Sequence, residues 1–115
     1  MSIQIIHSSS TTSDLLVKGQ VPVPLSEPAC HISALEVNVP ERLDCKTGIW
    51  ECSRGRFERQ VAAGEVMHIL CGSGEFTSHD GTVFAFKSGD TLFFPPNTCG
   101  IWAIQETLRK VYVLI

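Results

Sequence analysis

The chain from His31 onward predicts an all-β domain, a two-sheet sandwich or barrel. Apolar and polar residues alternate in short runs, Gly, Pro or Asp-Gly punctuates the gaps, and no stretch carries the three-to-four-residue apolar spacing of an amphipathic helix. Turn signals every eight to twelve residues, roughly, give about nine or ten strands.

Ala34–Val39 alternates and stops at Pro40. Thr47–Cys52, Arg56–Val61, Val66–Cys71 and Glu75–Ser78 follow, with glycines marking their ends. His79-Asp80-Gly81-Thr82 is the clearest turn, because Asp-Gly supplies the positive φ angles of a two-residue hairpin loop. Val83–Phe86, Thr91–Phe94, Gly100–Ile104 and Arg109–Ile115 complete the set. Before them, residues 1–28 read as an arm. Its polar run from His7 ends at Ser13, an N-cap for a short turn through Asp14, Leu15 and Leu16. Val21-Pro-Val-Pro-Leu25 is then extended, since proline bars helix and suits sheet edges. So apolar an arm is expected to lie across its own barrel or a partner's, and the exposed edges of a small barrel suggest a two-fold homodimer. Residues 29–115 form the single domain.

A chain of 115 residues supports one core, and 43% hydrophobic residues are enough to build it. With 18% charged residues and a net charge of -3, no basic stripe for nucleic acid is expected; Arg54, Arg56 and Arg59 are interrupted by Glu58. No apolar run approaches the roughly 20 residues that span a bilayer, and no secretory leader is legible, so a cytoplasmic location is expected. Five cysteines (Cys30, Cys45, Cys52, Cys71, Cys99) without a CxxC pair read as free thiols in a reducing compartment.

Two segments, Glu65-Val-Met-His-Ile-Leu-Cys-Gly72 and Gly89-Asp-Thr-Leu-Phe-Phe-Pro95, resemble the paired motifs of the cupin superfamily. The resemblance implies a cupin-type jelly-roll barrel. Its first motif places Glu65 and Gly72 in register, and puts the His-x-His pair at Arg59 and Val61, or at Glu58 and Gln60. Its second fits Gly89 and Pro95, with Asn97 at the second glycine and Gly100 at the histidine. Three of the four usual metal ligands are therefore replaced, and neither a bound metal nor another cofactor is expected. With Thr47–Cys52, Gly55-Arg-Phe57 and Leu108–Tyr112, the chain resembles small single-domain cupins related to (S)-ureidoglycine aminohydrolase, a larger, two-domain, manganese-dependent enzyme.

Ala62-Ala63-Gly64 reads as a hairpin loop, which sets Val61 opposite Glu65 and Arg59 diagonal to it. Alternation then puts Phe57, Arg59 and Val61 on one face with Glu65, Met67 and Ile69. The resemblance makes that face the barrel interior. Glu65 is the candidate acid/base and Arg59 the anion clamp, while an inert Arg–Glu ion pair is the structural alternative. His68 alternates outward. Trp102 shares the inward face of position 100, and Trp50, Lys110 and Tyr112 extend the same wall; with Phe57 and Met67 they are the candidate substrate-binding residues, core packing being the alternative for the tryptophans. A zinc or iron site from Cys52, Cys71 and Cys99 with Glu65 has no spacing in its favour. Three functions remain open: a metal-independent hydrolase, lyase or isomerase, a non-catalytic module sensing a small polar metabolite, and a metal enzyme with substituted ligands.

Overall fold

A computed structural model describes residues 3–115. Its eight strands are β1 (Leu16–Gln20), β2 (His31–Asn38), β3 (Lys46–Cys52), β4 (Gly55–Val61), β5 (Glu65–Ser78), β6 (Val83–Lys87), β7 (Thr91–Phe94) and β8 (Thr98–Leu114), with no helix among the described residues. All pairings are antiparallel. The order is β1-β2-β3-β8-β5-β6, with β4 also on β8 and β7 also on β5.

The strand count falls short of the expected one because two pairs of predicted strands are continuous. Val66–Cys71 and Glu75–Ser78 are two ends of the 14-residue β5, and Gly100–Ile104 and Arg109–Ile115 lie along the 17-residue β8. Both strands turn a corner where the β5–β8 register shifts, between Ile69 and Gly74. Gly72 sits at that corner with φ +94°, and a Cβ there would run into the Thr107 carbonyl. Glycine at this position thus bends the sheet, where the sequence reading took it as an end. The corner folds one sheet into two layers. The first is β1-β2-β3, the second half of β8, the first half of β5, and β7; the second is β4, the first half of β8, the second half of β5, and β6.

Three local expectations are corrected. Ser13 caps no turn: the turn lies earlier, where the Thr11 and Thr12 amides donate to the Ser8 carbonyl, and Leu16 already begins β1. The Asp80-Gly81 hairpin loop is longer than two residues, spanning 78–82 between ladder pairs, with Ser78 N–H donating to the Thr82 carbonyl across its base. Gly81 N–H donates to the Ser78 carbonyl, Gly81 takes φ +90°, and the first flanking pair is Thr77 with Val83. Ala62–Gly64 does not close a hairpin, since β4 pairs with β8 and β5 with β6, β7 and β8. The loop crosses from one layer to the other.

The apolar arm lies on its own barrel. Val21 is buried, Leu25 N–H donates to the Arg56 carbonyl, and Glu58 N–H donates to that of Val23, so residues 23–25 cover the free edge of β4. Further upstream, Arg109 on the outer face of β8 donates to the Ser9 and Thr12 carbonyls and pairs with Glu51 at 3.1 Å. That guanidinium staples the N-terminal segment down. Inside, Phe57, Met67, Ile69, Phe76, Phe86, Trp102, Ile104 and Leu108 pack one core.

Candidate functional site

Register fixes which side chains meet inside the barrel. Ala34, Trp50, Lys110 and Ile69 form one cross-strand row in the first layer. The next row is Glu36, Gly48, Tyr112 and Met67, and the one beyond it Asn38, Lys46, Leu114 and Glu65. In the second layer Arg59, Gly100 and Ser78 form a row beside that of Phe57, Trp102 and Phe76. The short 62–64 crossover carries the chain from Val61 directly to Glu65, so Arg59 and Glu65 face each other across the barrel. Their predicted contact is real, although the geometry that produces it is inter-layer packing and not a hairpin diagonal.

Glu65 is 1% exposed and lies between two cations. Lys110 Nζ donates to its Oε2 at 2.9 Å, and Arg59 Nη2 lies 3.3 Å from its Oε1, close enough for an ion pair but not aligned as a hydrogen bond. The nearer partner is thus Lys110, which the sequence reading placed on the wall without pairing it. The available signal was a lysine between Leu108 and Tyr112 on an inward face. Lys110 is itself 1% exposed, with its Nζ 3.5 Å from Met67 Sδ, 4.6 Å from the Trp50 ring centre and 5.0 Å from that of Trp102. Burial pulls its pKa down to about 8, with the nearby Glu65 carboxylate opposing the shift and the Arg59 charge adding to it.

The remaining predicted residues fall into place around this triad. Trp102 is buried, with ring centres 5.3 Å from Phe76, 5.4 Å from Phe86, 5.7 Å from Phe94 and 6.4 Å from Phe57. Phe57 and Met67 are core, and Trp50 is partly buried against them. Tyr112 is half-buried, and its pKa is raised by burial first and by Glu36 and Glu65 next. It lines a cavity of about 220 Å³ against the β2–β3 loop with Glu36, Lys46, Thr47 and Leu114, and no residue of the triad lines that cavity. His68 is exposed and bonds Thr91 Oγ1 at 2.8 Å through Nδ1, as its outward parity predicts.

Four buried side-chain nitrogen or oxygen atoms lack a hydrogen-bond partner among the described residues, and three of them are Arg59 Nη1, Glu65 Oε1 and Trp102 Nε1. Buried polar groups are rarely left so. Here the orphans belong to residues joined through Lys110 and Glu65, and together they offer two donors and one acceptor. A larger groove, about 730 Å³, opens between β6 and β7 and is lined by Phe76, Phe84, Phe86, Phe93 and Phe94. None of the predicted site residues lines it, and its acids are engaged locally: Asp80 accepts from Ser78 and Thr82, Asp90 from Lys87 N–H. The unpartnered polar atoms therefore gather at the triad and not in the larger space.

The cupin motifs imply a metal, and the residues present do not fit one. Of the two alignments, Arg59 and Val61 face inward, whereas Glu58 and Gln60 are exposed. Among the described residues no imidazole reaches the triad, and two cations surround its single carboxylate. At the second-motif histidine, a Cβ on Gly100 would collide with the Thr77 carbonyl and the Phe76 ring, which fills the space a ligand side chain would need. Asn97 replaces the motif glycine and keeps its left-handed conformation, with φ +63°. No group of three or more His, Cys, Asp or Glu converges elsewhere among the described residues, and Cys52 is buried against Cys30, its pKa raised chiefly by desolvation.

Comparison with known proteins agrees with this architecture. A search of curated proteins gives no match. Among solved structures, a DUF861 family protein from Thermotoga maritima is 30% identical, with a TM-score of 0.59 over 71% of this chain and 99% of that one. The EutQ protein of Clostridium difficile is 19% identical, with a TM-score of 0.66 over 82% of this chain and 79% of that one. A DUF861 protein of unknown function from Pseudomonas syringae pv. tomato gives 0.78 at 17% identity; this chain spans 88% of its own length there but 44% of the other's. No helix among the described residues is long and apolar enough to cross a membrane. The family model for the EutQ-like cupin domain matches residues 43–112, from the β2–β3 loop to Tyr112, and with its all-β barrel and two motif corners the chain belongs to that family.

Proposed function

We propose that this cupin binds a small polar metabolite inside the barrel without a metal, holding the ligand's carboxylate or carbonyl oxygen on Arg59 and a donor group on Glu65. The observation that carries this reading is the cluster of orphaned polar atoms on Arg59, Glu65 and Trp102. A triad with two cations and one carboxylate leaves positive charge unmatched in an apolar enclosure, which favours an anionic guest. Arg59, whose side chain is 27% exposed, connects the buried pair to the outside. Trp50, Tyr112 and Lys110 supply a wall with polar tips, whereas Phe57, Met67 and Trp102 act from beneath as the packed floor.

Acid/base catalysis is the second reading, a hydrolase, lyase or isomerase in which Glu65 moves a proton. Lys110 favours it, since an amine drawn towards neutrality beside a carboxylate can share a proton with it at working pH. Kinship with (S)-ureidoglycine aminohydrolase belongs to this reading and would make ureides the first ligands to try. Homodimer formation in the cytoplasm completes the proposal, supported by the exposed β1 edge with Leu16 and Val17.

A thermal-shift screen of ureides, amino acids, keto acids and sugars, with and without divalent metals, tests it. A ligand present at a hundred times its Kd stabilises the native state by about 2.7 kcal/mol. Carboxylate-bearing compounds should raise the midpoint, and Arg59→Gln should remove the response. A midpoint raised by divalent metal alone, or by no compound at all, contradicts the proposal.

A further inference from the structure

We propose that β6 is the docking edge for a second copy of this chain, whose own β6 pairs with it antiparallel about a two-fold axis at Phe84. The inference rests on the homodimer of the preceding reading and goes further by naming the edge that makes it. Four strands lie at an edge of their layer: β1, β7, β4 and β6. Residues 23–25 already cover β4. β1 exposes Leu16 and Val17, yet Lys18 and the register shift between Val17 and Gly19 interrupt it, and both features discourage strand addition. β7 has only four residues and runs into Pro95-Pro96. β6 has none of these safeguards. Its run Val83-Phe84-Ala85-Phe86 carries no charge, proline or register shift, and Val83 and Phe84 are half exposed.

The hydrogen-bonding groups on that edge fix the register. Ser78 N–H donates to the Thr82 carbonyl and Ser88 N–H to that of Gly72. The even-numbered residues of β6 therefore bond to β5, and the odd-numbered ones point away from it. Of the latter, Lys87 is already occupied: its N–H donates to Asp90 Oδ2, and its carbonyl accepts from Asp90 N–H. Val83 and Ala85 thus present two donors and two acceptors to the free side. An axis at Phe84 sets Val83 against the partner subunit's Ala85, and Ala85 against the partner subunit's Val83. Every one of those groups is then satisfied, in four hydrogen bonds. An axis at Ala85 would instead set Val83 against the occupied Lys87 of the partner subunit.

Side chains agree with the same register. A two-fold axis perpendicular to the sheet keeps each face on its own side, so Phe84 meets the partner subunit's Phe84 as a close, non-hydrogen-bonded pair. That is the face of Phe76 and Phe86, and it borders the aromatic groove of about 730 Å³. Pairing therefore covers apolar surface on Phe84 that one chain leaves half exposed. On the opposite face stands Lys87, which makes no ion pair among the described residues. It falls opposite the partner subunit's Gly81, beside the carboxylate of the partner subunit's Asp80, so the charges match as well.

Sedimentation velocity over a dilution series tests the interface, with a melting curve for each variant. The wild type should sediment as a dimer. Phe84→Glu puts like charges on both sides of the axis and should give a monomer; the side chain is half exposed, so the fold tolerates the change. Ala85→Pro removes a donor that faces away from β5, which lets the strand stay in place while it loses the pairing. It too should give a monomer. Val17→Lys, on the β1 edge, should leave the dimer intact. Register is read by cross-linking with oxidised glutathione. Phe84→Cys should form a reducible covalent dimer at least about tenfold faster than Val83→Cys or the wild type, because only residue 84 faces its own copy at disulfide distance. Equal rates at positions 83 and 84 overturn the register. A dimer that survives both Phe84→Glu and Ala85→Pro overturns the β6 interface, and if Val17→Lys dissociates it, the homodimer stands on β1. A monomeric wild type overturns the interface and the homodimer together.

Discussion

Phe57, Phe76, Phe86 and Trp102 fill one half of the barrel with rings, whereas Glu65, Lys110 and Arg59 fill the other with charge. The aromatic half closes on itself: Trp102 touches four phenylalanines, and Phe76 occupies the space that a residue larger than glycine at position 100 would need. The charged half does not close. Its ion pairs leave Arg59 Nη1 and Glu65 Oε1 without hydrogen bonds, and even the tryptophan at the boundary turns an unpartnered Nε1 towards neighbours that offer it nothing. One half has the properties of a core, and the other is the half we propose as a site. What separates them is whether each buried group has found its partner within the chain.

The comparison is broken most forcefully from the aromatic side. Trp102→Ala removes the ring on which both halves rest and should cost about 3–5 kcal/mol, read as a shift of the urea midpoint at unchanged slope. A loss below about 1 kcal/mol would mean that the aromatic half is not the core. On the charged side, Glu65→Gln strips Lys110 and Arg59 of the carboxylate charge they share and should cost about 3–5 kcal/mol at pH 7. That loss should shrink towards pH 9, as Lys110 escapes the penalty by losing its proton. Replacing both partners, Glu65→Leu with Lys110→Met, should recover most of the stability while abolishing every ligand response, since a buried pair exchanged for apolar groups is often neutral. A double variant as unstable as Glu65→Gln would instead make the pair a structural necessity.

A subtler effect lies in the pH profile. The folded-state pKa of Lys110, about 8, lies below its unfolded value of 10.5, so between those limits the unfolded chain binds more protons. Its contribution to stability therefore rises with pH in that window, by roughly 1 kcal/mol between pH 7 and 9. Cys52 acts in the opposite sense. Burial raises its pKa, so its contribution falls once pH passes the unfolded value of 9.0. Stability of the wild type relative to Lys110→Met should thus climb from pH 7 to 9, and a flat difference would show that the lysine is not desolvated as described. The smallest effect belongs to His68, outside both halves. His68→Ala should change stability by no more than about 0.5 kcal/mol and leave ligand binding unchanged.

Parity along the strands made much of this legible. Arg59, Glu65, Trp102 and Lys110 could be assigned inward from alternation once the cupin motifs had oriented the barrel, and Asn97 and Gly100 could be aligned with the motif positions they replace. What could not be read was pairing between strands distant in sequence. A loop of two alanines and a glycine looks like a hairpin, yet β4 and β5 do not pair with each other: β4 pairs with β8, as in Arg59 with Gly100, and the start of β5 with β7 and β8, as in Glu65 with Phe94 and Leu114. Gly72 reads equally as a strand end or a bend, and only the close approach of the Thr107 carbonyl decides between them. The Lys110–Glu65 contact escaped for the same reason. Those residues lie 45 positions apart, and their meeting depends on a register that the corner of β5 and β8 sets.

The central claim is that the charged half is a ligand site, and the chain carries its own reporter for it. It has two tryptophans, Trp50 and Trp102, and both ring centres lie within 5.0 Å of Lys110 Nζ. Intrinsic fluorescence should therefore respond directly to a small carboxylate entering the triad. Titrating pyruvate into the wild-type protein and into Arg59→Gln, with the fold of each verified by its melting curve, is the most direct measurement. The account predicts a saturable change in emission for the wild type and none for the variant. Emission unaltered in both, or altered equally in both, would contradict it.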